Sequence, residues 1–323
     1  MYNVCIFFHE LKVIIIMTKV FIDGSAGTTG LRIFDRLKQR NDITLLTLPD
    51  ELRKDANAKK EITMESDITF LCLPDDAAKE AVSTLGEGGP VIIDTSTAHR
   101  TTEGWTYGMP ELSGSRNSIK TSHRIANPGC HASGFIALIQ PLVNAGLIQS
   151  DASLTCFSVT GYSGGGKKMI SDYECEERDA LLDSPRQYAL TQNHKHLKEM
   201  AYVTGLQKYP IFCPIVSDFK CGMEVTVPLF ACQIKGNTSD IKNIYKNQYN
   251  NSVIYFNDNV DEGGFLSSNA LSGKDSMEIS VHGNEERILL VARFDNLGKG
   301  ASGAAIQNMN IVMGIDETTG LSL

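Results

Sequence analysis

Val20-Phe21-Ile22-Asp23-Gly24-Ser25-Ala26-Gly27-Thr28-Thr29-Gly30 is the stretch whose reading decides the fold. A short run of β-branched and aromatic residues stops at Asp23-Gly24. Three glycines then come at GxxGxxG spacing, and residues 31–37 repeat apolar side chains at helical period. Glycines in that place let the backbone turn sharply and come close to an anion, which then sits on the N–H groups opening the helix. The strand–glycine loop–helix order is what a dinucleotide loop requires, although the spacing differs from the GxGxxG form. The stretch therefore predicts the first unit of a doubly wound, Rossmann-type α/β sheet.

Working outward, residues 43–48, 68–73 and 91–93 read as strands and 77–85 as a helix. Continuous apolar strands alternating with helices indicate a parallel sheet covered on both faces. After the second strand, Asp50 stands where an acid would hold a ribose, and Arg53 and Lys54 where cations would hold a 2′-phosphate; the residues alone leave both open. The pattern changes near residue 151. Residues 154–160, 223–234, 253–256 and 288–294 read as longer strands with fewer helices between them, which predicts a second, α+β domain with a mixed sheet. Residues 300–314 return to helical spacing and are expected to pack back on the first domain. Residues 1–16 read as an upstream extension of a protein that starts naturally at Met17.

With 323 residues the chain is long enough for two domains. A net charge of −8 argues against a nucleic-acid surface, though a local basic pocket for a small anion is compatible with it. The N-terminal apolar run is too short to span a membrane. Eight cysteines without a CxxC pair fit neither a zinc site nor a disulfide scaffold, so reduced thiols in the cytoplasm are expected.

Asn127-Pro128-Gly129-Cys130 places a cysteine after a tight turn and before an apolar run, 131–143. A thiol at a helix start is expected to have a lowered pKa and to serve as a nucleophile, against the ordinary alternative of a buried structural cysteine. Pro141 inside the run predicts a short or kinked helix. Asp94-Thr95-Ser96-Thr97-Ala98-His99-Arg100 follows the fourth strand, where such sheets bind ligands, and its arginine suits phosphate or carboxylate. Gly161-Tyr162-Ser163-Gly164-Gly165-Gly166, followed by Lys167, offers backbone N–H groups to an anion. His194 and His196 would share a face on a strand but not on a helix. They lack a third ligand at fitting spacing, which argues against a metal. An acid–base partner for Cys130 is the sharper reading.

Together these motifs, with Tyr107-Gly108-Met109-Pro110-Glu111-Leu112, His194-Lys195-His196 and the segment from Asn296 through Gly298 and Gly300 to Gly303, resemble the N-acetyl-γ-glutamyl-phosphate reductases, in the short, type 2 form. The resemblance runs from about Lys19 to Gly314. It implies NADP (as NADPH) as cofactor and an acyl phosphate of arginine biosynthesis as substrate, reduced to the semialdehyde through a thioester on Cys130. It implies His194 as acid–base, with His196 the alternative. It further implies cofactor contacts from Gly24, Ala26, Gly27, Thr28, Thr29, Gly30, Asn296, Gly298 and Gly300, and substrate or phosphate contacts from Ser96, Arg100, Asn127 and His196. Residues 17–129 with 300–323 would form the nucleotide-binding domain, and 130–299 the catalytic and oligomerisation domain of a dimer or tetramer. Aspartate-semialdehyde dehydrogenase and a degenerate nucleotide-binding regulator are the rival readings.

Overall fold

The computed structural model describes residues 17–86 and 88–323. The expectation for residues 1–16 lies outside the described residues. The first unit comprises β1 (Thr18–Asp23), α1 (Thr28–Leu37), β2 (Ile43–Leu46), α2 (Ala56–Glu65), β3 (Ile68–Leu71), α3 (Asp75–Ser83), β4 (Val91–Asp94), β5 (Thr106–Tyr107), α4 (Ser115–Thr121) and β6 (Arg124–Ala126). Its six strands are all parallel, in the order β2-β1-β3-β4-β6-β5. The order reverses beside β1, so the loop after β1 opens at the switch point where such sheets bind ligands. Sequence periodicity missed α2, which buries Thr63 alone and carries no apolar stripe. It also missed α4 and the two short strands β5 and β6, each too brief to show a period.

The second unit begins with α5 (Cys130–Asn144) and continues through β7 (Thr155–Gly161), α6 (Gly166–Glu174), β8 (Arg186–Gln187), α7 (His196–Thr204), β9 (Ile211–Ser217), β10 (Met223–Phe230), α8 (Thr238–Gln248), β11 (Ile254–Phe256), β12 (Met277–Gly283) and β13 (Arg287–Phe294). The sheet is mixed, in the order β11-β12-β13-β10-β7-β9-β8. α5 lies on one face and is apolar nearly all round. Its Phe135, Ile136, Leu138 and Leu142 join Val225, Leu290 and Phe294 of the sheet in one core. The final helix, α9 (Gly303–Met313), sends Ala305, Ile306 and Met309 into the other core, against Val20, Ile22 and Ile33.

The helix is not short, as Pro141 led one to expect: α5 runs 15 residues and continues past the proline. Proline removes the N–H that would bond the carbonyl four residues earlier, that of Ala137. The Tyr249 hydroxyl donates to this carbonyl at 2.7 Å instead, and Tyr245 donates to the next one, Leu138, at 2.5 Å. Two buried tyrosines from the α8 region thus satisfy backbone groups around the proline.

Candidate active site

β1 ends and the chain turns at Gly24, whose φ of +88° suits glycine, and where a Cβ would stand 2.3 Å from the Cys72 carbonyl oxygen. Gly27 caps α1, and its N–H bonds the Gly24 carbonyl at 3.0 Å. Thr28 and Thr29 therefore open the helix with N–H groups free to face a ligand. Beside this loop lies a cavity of about 420 Å³ lined by Phe21, Gly24, Ser25, Ala26, Phe34, Leu48 and Arg53, among others. A backbone cradle that a side chain would fill, opening on a cavity that carries Arg53 and the Lys59–Asp23 pair beside apolar residues, fits a phosphorylated dinucleotide such as NADP. Asp50 lines no part of this cavity: its side chain is 80% exposed and pairs with Arg53 at 2.8 Å.

A second cavity, of about 310 Å³, lies where the two units meet. It brings together Thr29 and Thr95 from the first unit, Cys130 from α5, Gly164 and Gly165 from the glycine run, His194 and His196, and Asn296 and Gly300 from the segment before α9. Cys130 is the first residue of its helix, with Gly129 as the cap. A Cβ on Gly129 would stand 2.3 Å from Arg100 Nη1 and 2.5 Å from His196 Nε2, so both side chains press on the backbone beside the thiol. Gly300 packs under the same thiol, its missing Cβ 3.0 Å from that of Cys130. It belongs to a π-helical turn, Gly298–Ser302, a local irregularity common at functional sites.

The lowered thiol pKa expected from the helix start is overturned. Burial raises the Cys130 thiol above its ordinary value, and the His131 N–H, Arg100 and Lys195 offset this in part. Both candidate imidazoles are shifted the other way. Burial, with Lys195 beside it, brings His194 down to about 4, and burial with Arg100 holds His196 well below its usual range. The site therefore rests as a thiol among neutral imidazoles, not as a thiolate–imidazolium pair.

The two histidines occupy neither a strand nor one helix. His194 lies in the turn before α7 and His196 is the first residue of α7, and their rings meet edge to face at 4.8 Å. The His196 N–H donates to His194 Nδ1 at 3.2 Å. That bond places the proton of neutral His194 on Nε2, leaving a donor for the half-buried side of the ring. His196 is buried, and its Nδ1 has no partner among the described residues.

Several expected ligand contacts are spent inside the protein. Arg100 lines the cavity, but it donates to the Asn127 carbonyl, the Thr95 carbonyl and Glu199 Oε2 at 2.9–3.0 Å, and Glu199 neutralises it. Ser96 is a turn-former: its hydroxyl bonds Asp94 at 2.8 Å and it lines no part of the cavity. Asn127 also lines the cavity, and its side chain donates to the Ala301 carbonyl and accepts from Asn308, tying the cysteine turn to α9 and the segment before it. Gly298 also lies off the cavity, and a Cβ there would meet the Lys274 carbonyl oxygen at 2.0 Å. Asn296 does line it, held by the Gly222 N–H and the Ser163 hydroxyl.

Sequence reading missed Glu199, His131, Tyr188 and Lys195. Glu199 accepts from Arg100, from the Gly129 N–H at 2.8 Å and from the Tyr107 hydroxyl at 2.7 Å. Its signal was the one-turn spacing from His196, which puts both on one side of α7. His131 spends both ring nitrogens at 2.7 Å, on Ser158 and on the Tyr188 hydroxyl, and burial takes its pKa down to about 3. Among the described residues no group of three His, Cys, Asp or Glu is arranged to hold a metal ion.

A thiol and an imidazole between a dinucleotide loop and a mixed-sheet domain define an NAD(P)-dependent dehydrogenase of the semialdehyde class. The family model for the semialdehyde dehydrogenase NAD binding domain matches residues 19–122, and that for the dimerisation domain matches 130–296. Aspartate semialdehyde dehydrogenase II of Vibrio cholerae, solved with ASA, superposes with a TM-score of 0.69 at 15% identity, covering 92% of this chain and 98% of that one, which shows the shared fold. The Candida albicans enzyme with NADP gives 0.67 at 15%, covering 92% and 98%. Two curated relatives are much nearer in sequence. N-acetyl-gamma-glutamyl-phosphate reductase 2 of Nostoc sp. is 42% identical over 94% of this chain and 99% of its own length. The N-acetyl-gamma-glutamyl-phosphate reductase of Brucella ovis is 42% identical over 92% and 99%. The chain belongs to the N-acetyl-γ-glutamyl-phosphate reductase family.

Proposed function

We propose that Cys130 and His194 carry out the reaction of this family in the chain: NADPH-dependent reduction of N-acetyl-γ-glutamyl phosphate to the semialdehyde and phosphate, a step of arginine biosynthesis. The observation that supports it best is Cys130, at the first residue of α5, sharing one cavity with His194. The loop Gly24, Ala26, Gly27, Thr28, Thr29 and Gly30 would hold the cofactor's pyrophosphate. Asn296 and Gly300 would border its nicotinamide, and Gly298 is set aside because it lies off the cavity. Bound NADPH supplies the hydride that reduces the acyl carbon.

The rest falls to the chain's own groups. Cys130 Sγ attacks the acyl carbon, the carbon–oxygen bond to phosphate breaks, and the thiol proton leaves with the phosphate. The product is a thioester on Cys130, so one hard step is divided into two easier ones. Once that carbon is reduced, its oxygen carries the charge of a thiohemiacetal, and His194 Nε2–H would donate to it. His194 then takes the proton back as the carbon–sulfur bond breaks and the aldehyde leaves. The thiolate recovers its proton from water. Lys195 and the N–H groups of the glycine run give the cavity its attraction for an anionic substrate, because Arg100 is already paired.

Residues 17–129 with 300–323 form the nucleotide-binding domain in this reading, and 130–299 the catalytic one. Phe157, Ile211, Phe230 and Leu289 stand exposed on one face of the mixed sheet, opposite α5, which supports a homo-oligomer, dimer or tetramer, built on that face. No helix among the described residues is long and apolar enough to cross a membrane, and we place the enzyme in the cytoplasm. The test is the reverse reaction with NADP, inorganic phosphate and each semialdehyde in turn. N-acetylglutamate semialdehyde is expected to be preferred over aspartate semialdehyde by about 10²-fold or more in kcat/KM. Preference for the aspartate compound overturns the substrate, and cofactor binding without turnover of either favours a regulator.

A further inference from the structure

Two cavities meet at Arg53. The larger, of about 420 Å³, lies beside the glycine loop and in the reductase reading would take the cofactor's adenosine. The smaller, of about 300 Å³, is lined by Ser25, Ala26, Leu31, Phe34, Arg53 and Lys167, and shares Ser25, Ala26, Phe34 and Arg53 with the larger. Lys167 arrives from the second unit, as the second residue of α6. The carboxylate that lines a groove with it, Asp35, is engaged by Lys38 at 2.5 Å. The Arg53–Asp50 pair is exposed on both sides, so a phosphate can displace the carboxylate. Lys54, read from sequence as the partner of Arg53, lines a third cavity with Ala56, Lys59 and Lys60, which adjoins the larger one through Asp23, Lys59 and Leu73 but does not include Arg53.

We propose that Arg53 and Lys167, which together with Ser25 line this smaller cavity, form the subsite for the phosphomonoester on the cofactor's adenosine ribose. The proposal rests on the reductase reading above and names a residue of the catalytic domain as a selector of NADPH over NADH. A phosphomonoester carries close to two charges at neutral pH, which one guanidinium leaves partly uncompensated. The second cation comes from α6, the helix that follows the glycine run lining the catalytic cavity.

The experiment is calorimetric binding of adenosine 2′,5′-bisphosphate and of ADP to the whole chain, as wild type, Lys167→Met and Lys167→Arg. Lys167→Met is expected to weaken the bisphosphate by about tenfold or more and to leave ADP within about twofold. Lys167→Arg is expected to restore most of the loss. Equal weakening of both probes would assign Lys167 to the pyrophosphate and overturn the proposal, as would no change in either. A wild type that binds the bisphosphate no better than ADP also overturns it. Neither probe carries an acyl group, so an error in the assigned substrate would leave these results unmoved.

Discussion

Gly129→Ala isolates the close approach that builds the site. The added methyl would stand 2.3 Å from Arg100 Nη1, 2.5 Å from His196 Nε2 and 2.9 Å from His196 Cδ2. Ordinary contact needs roughly 3.5 Å, so one side must retreat by about 1 Å. Arg100 is fixed by three bonds, to Asn127, Thr95 and Glu199, and Glu199 in turn holds the Gly129 N–H. The displacement therefore falls on the cysteine turn or on His196, and through the His196 N–H on His194. Overpacking of this kind costs about 1–3 kcal/mol of stability, and a misplacement near 1 Å costs about 10²-fold in rate. The assay is kcat/KM for the reverse reaction, measured beside the melting temperature and NADPH binding. The expected result is a loss of about 10²-fold with cofactor binding retained and melting lowered by a few degrees. Turnover within about threefold of wild type, in a folded variant, refutes the packing argument.

Other expectations can be measured on the same protein. Cys130→Ser should abolish turnover while NADPH still binds, and retained turnover would remove the covalent route. His194→Asn should lower kcat by about 10²–10⁴-fold with Cys130 still open to alkylation; an unchanged rate would move the role to His196. Because burial raises the Cys130 thiol, the thiolate fraction is small at neutral pH, and the alkylation rate of the free enzyme should still be climbing past pH 9. A plateau below pH 7 would restore the pre-formed thiolate. Glu199→Ala leaves Arg100 charged and unpaired in a buried place, which should cost about 3–5 kcal/mol in denaturant unfolding; a loss below about 1 kcal/mol would show that Arg100 finds water.

The strand, glycine loop and helix around Gly24 were legible because each signal is local: β-branched residues, turn glycines, then a helical period. The sheet strands of the second unit were legible where apolar residues run together, as at 288–294. β9 and β12 were passed over, the first with Pro214 in mid-strand, the second with a run of buried side chains that lacks alternation. Ser96 and Asn127 show why a polar residue near a motif is hard to place: Ser96 bonds Asp94 two residues away, while Asn127 lines the catalytic cavity and bonds Ala301, a neighbour brought in by the fold.

The sequence by itself determined that a nucleotide loop, a cysteine at a helix start and a histidine pair belong to one chain with the architecture to use them. It did so because residue type and short spacing dictate turns, helix starts and periodicity. The tertiary structure alone decided which way the site's titrating groups are shifted, since what packs around Cys130, His194 and His196 comes from distant segments. It also decided that Arg100 is paired with Glu199, that α5 continues through Pro141 under Tyr249, and that Lys167 reaches the nucleotide loop. Each of these rests on contacts between residues far apart in the chain, and no local pattern encodes such a distance.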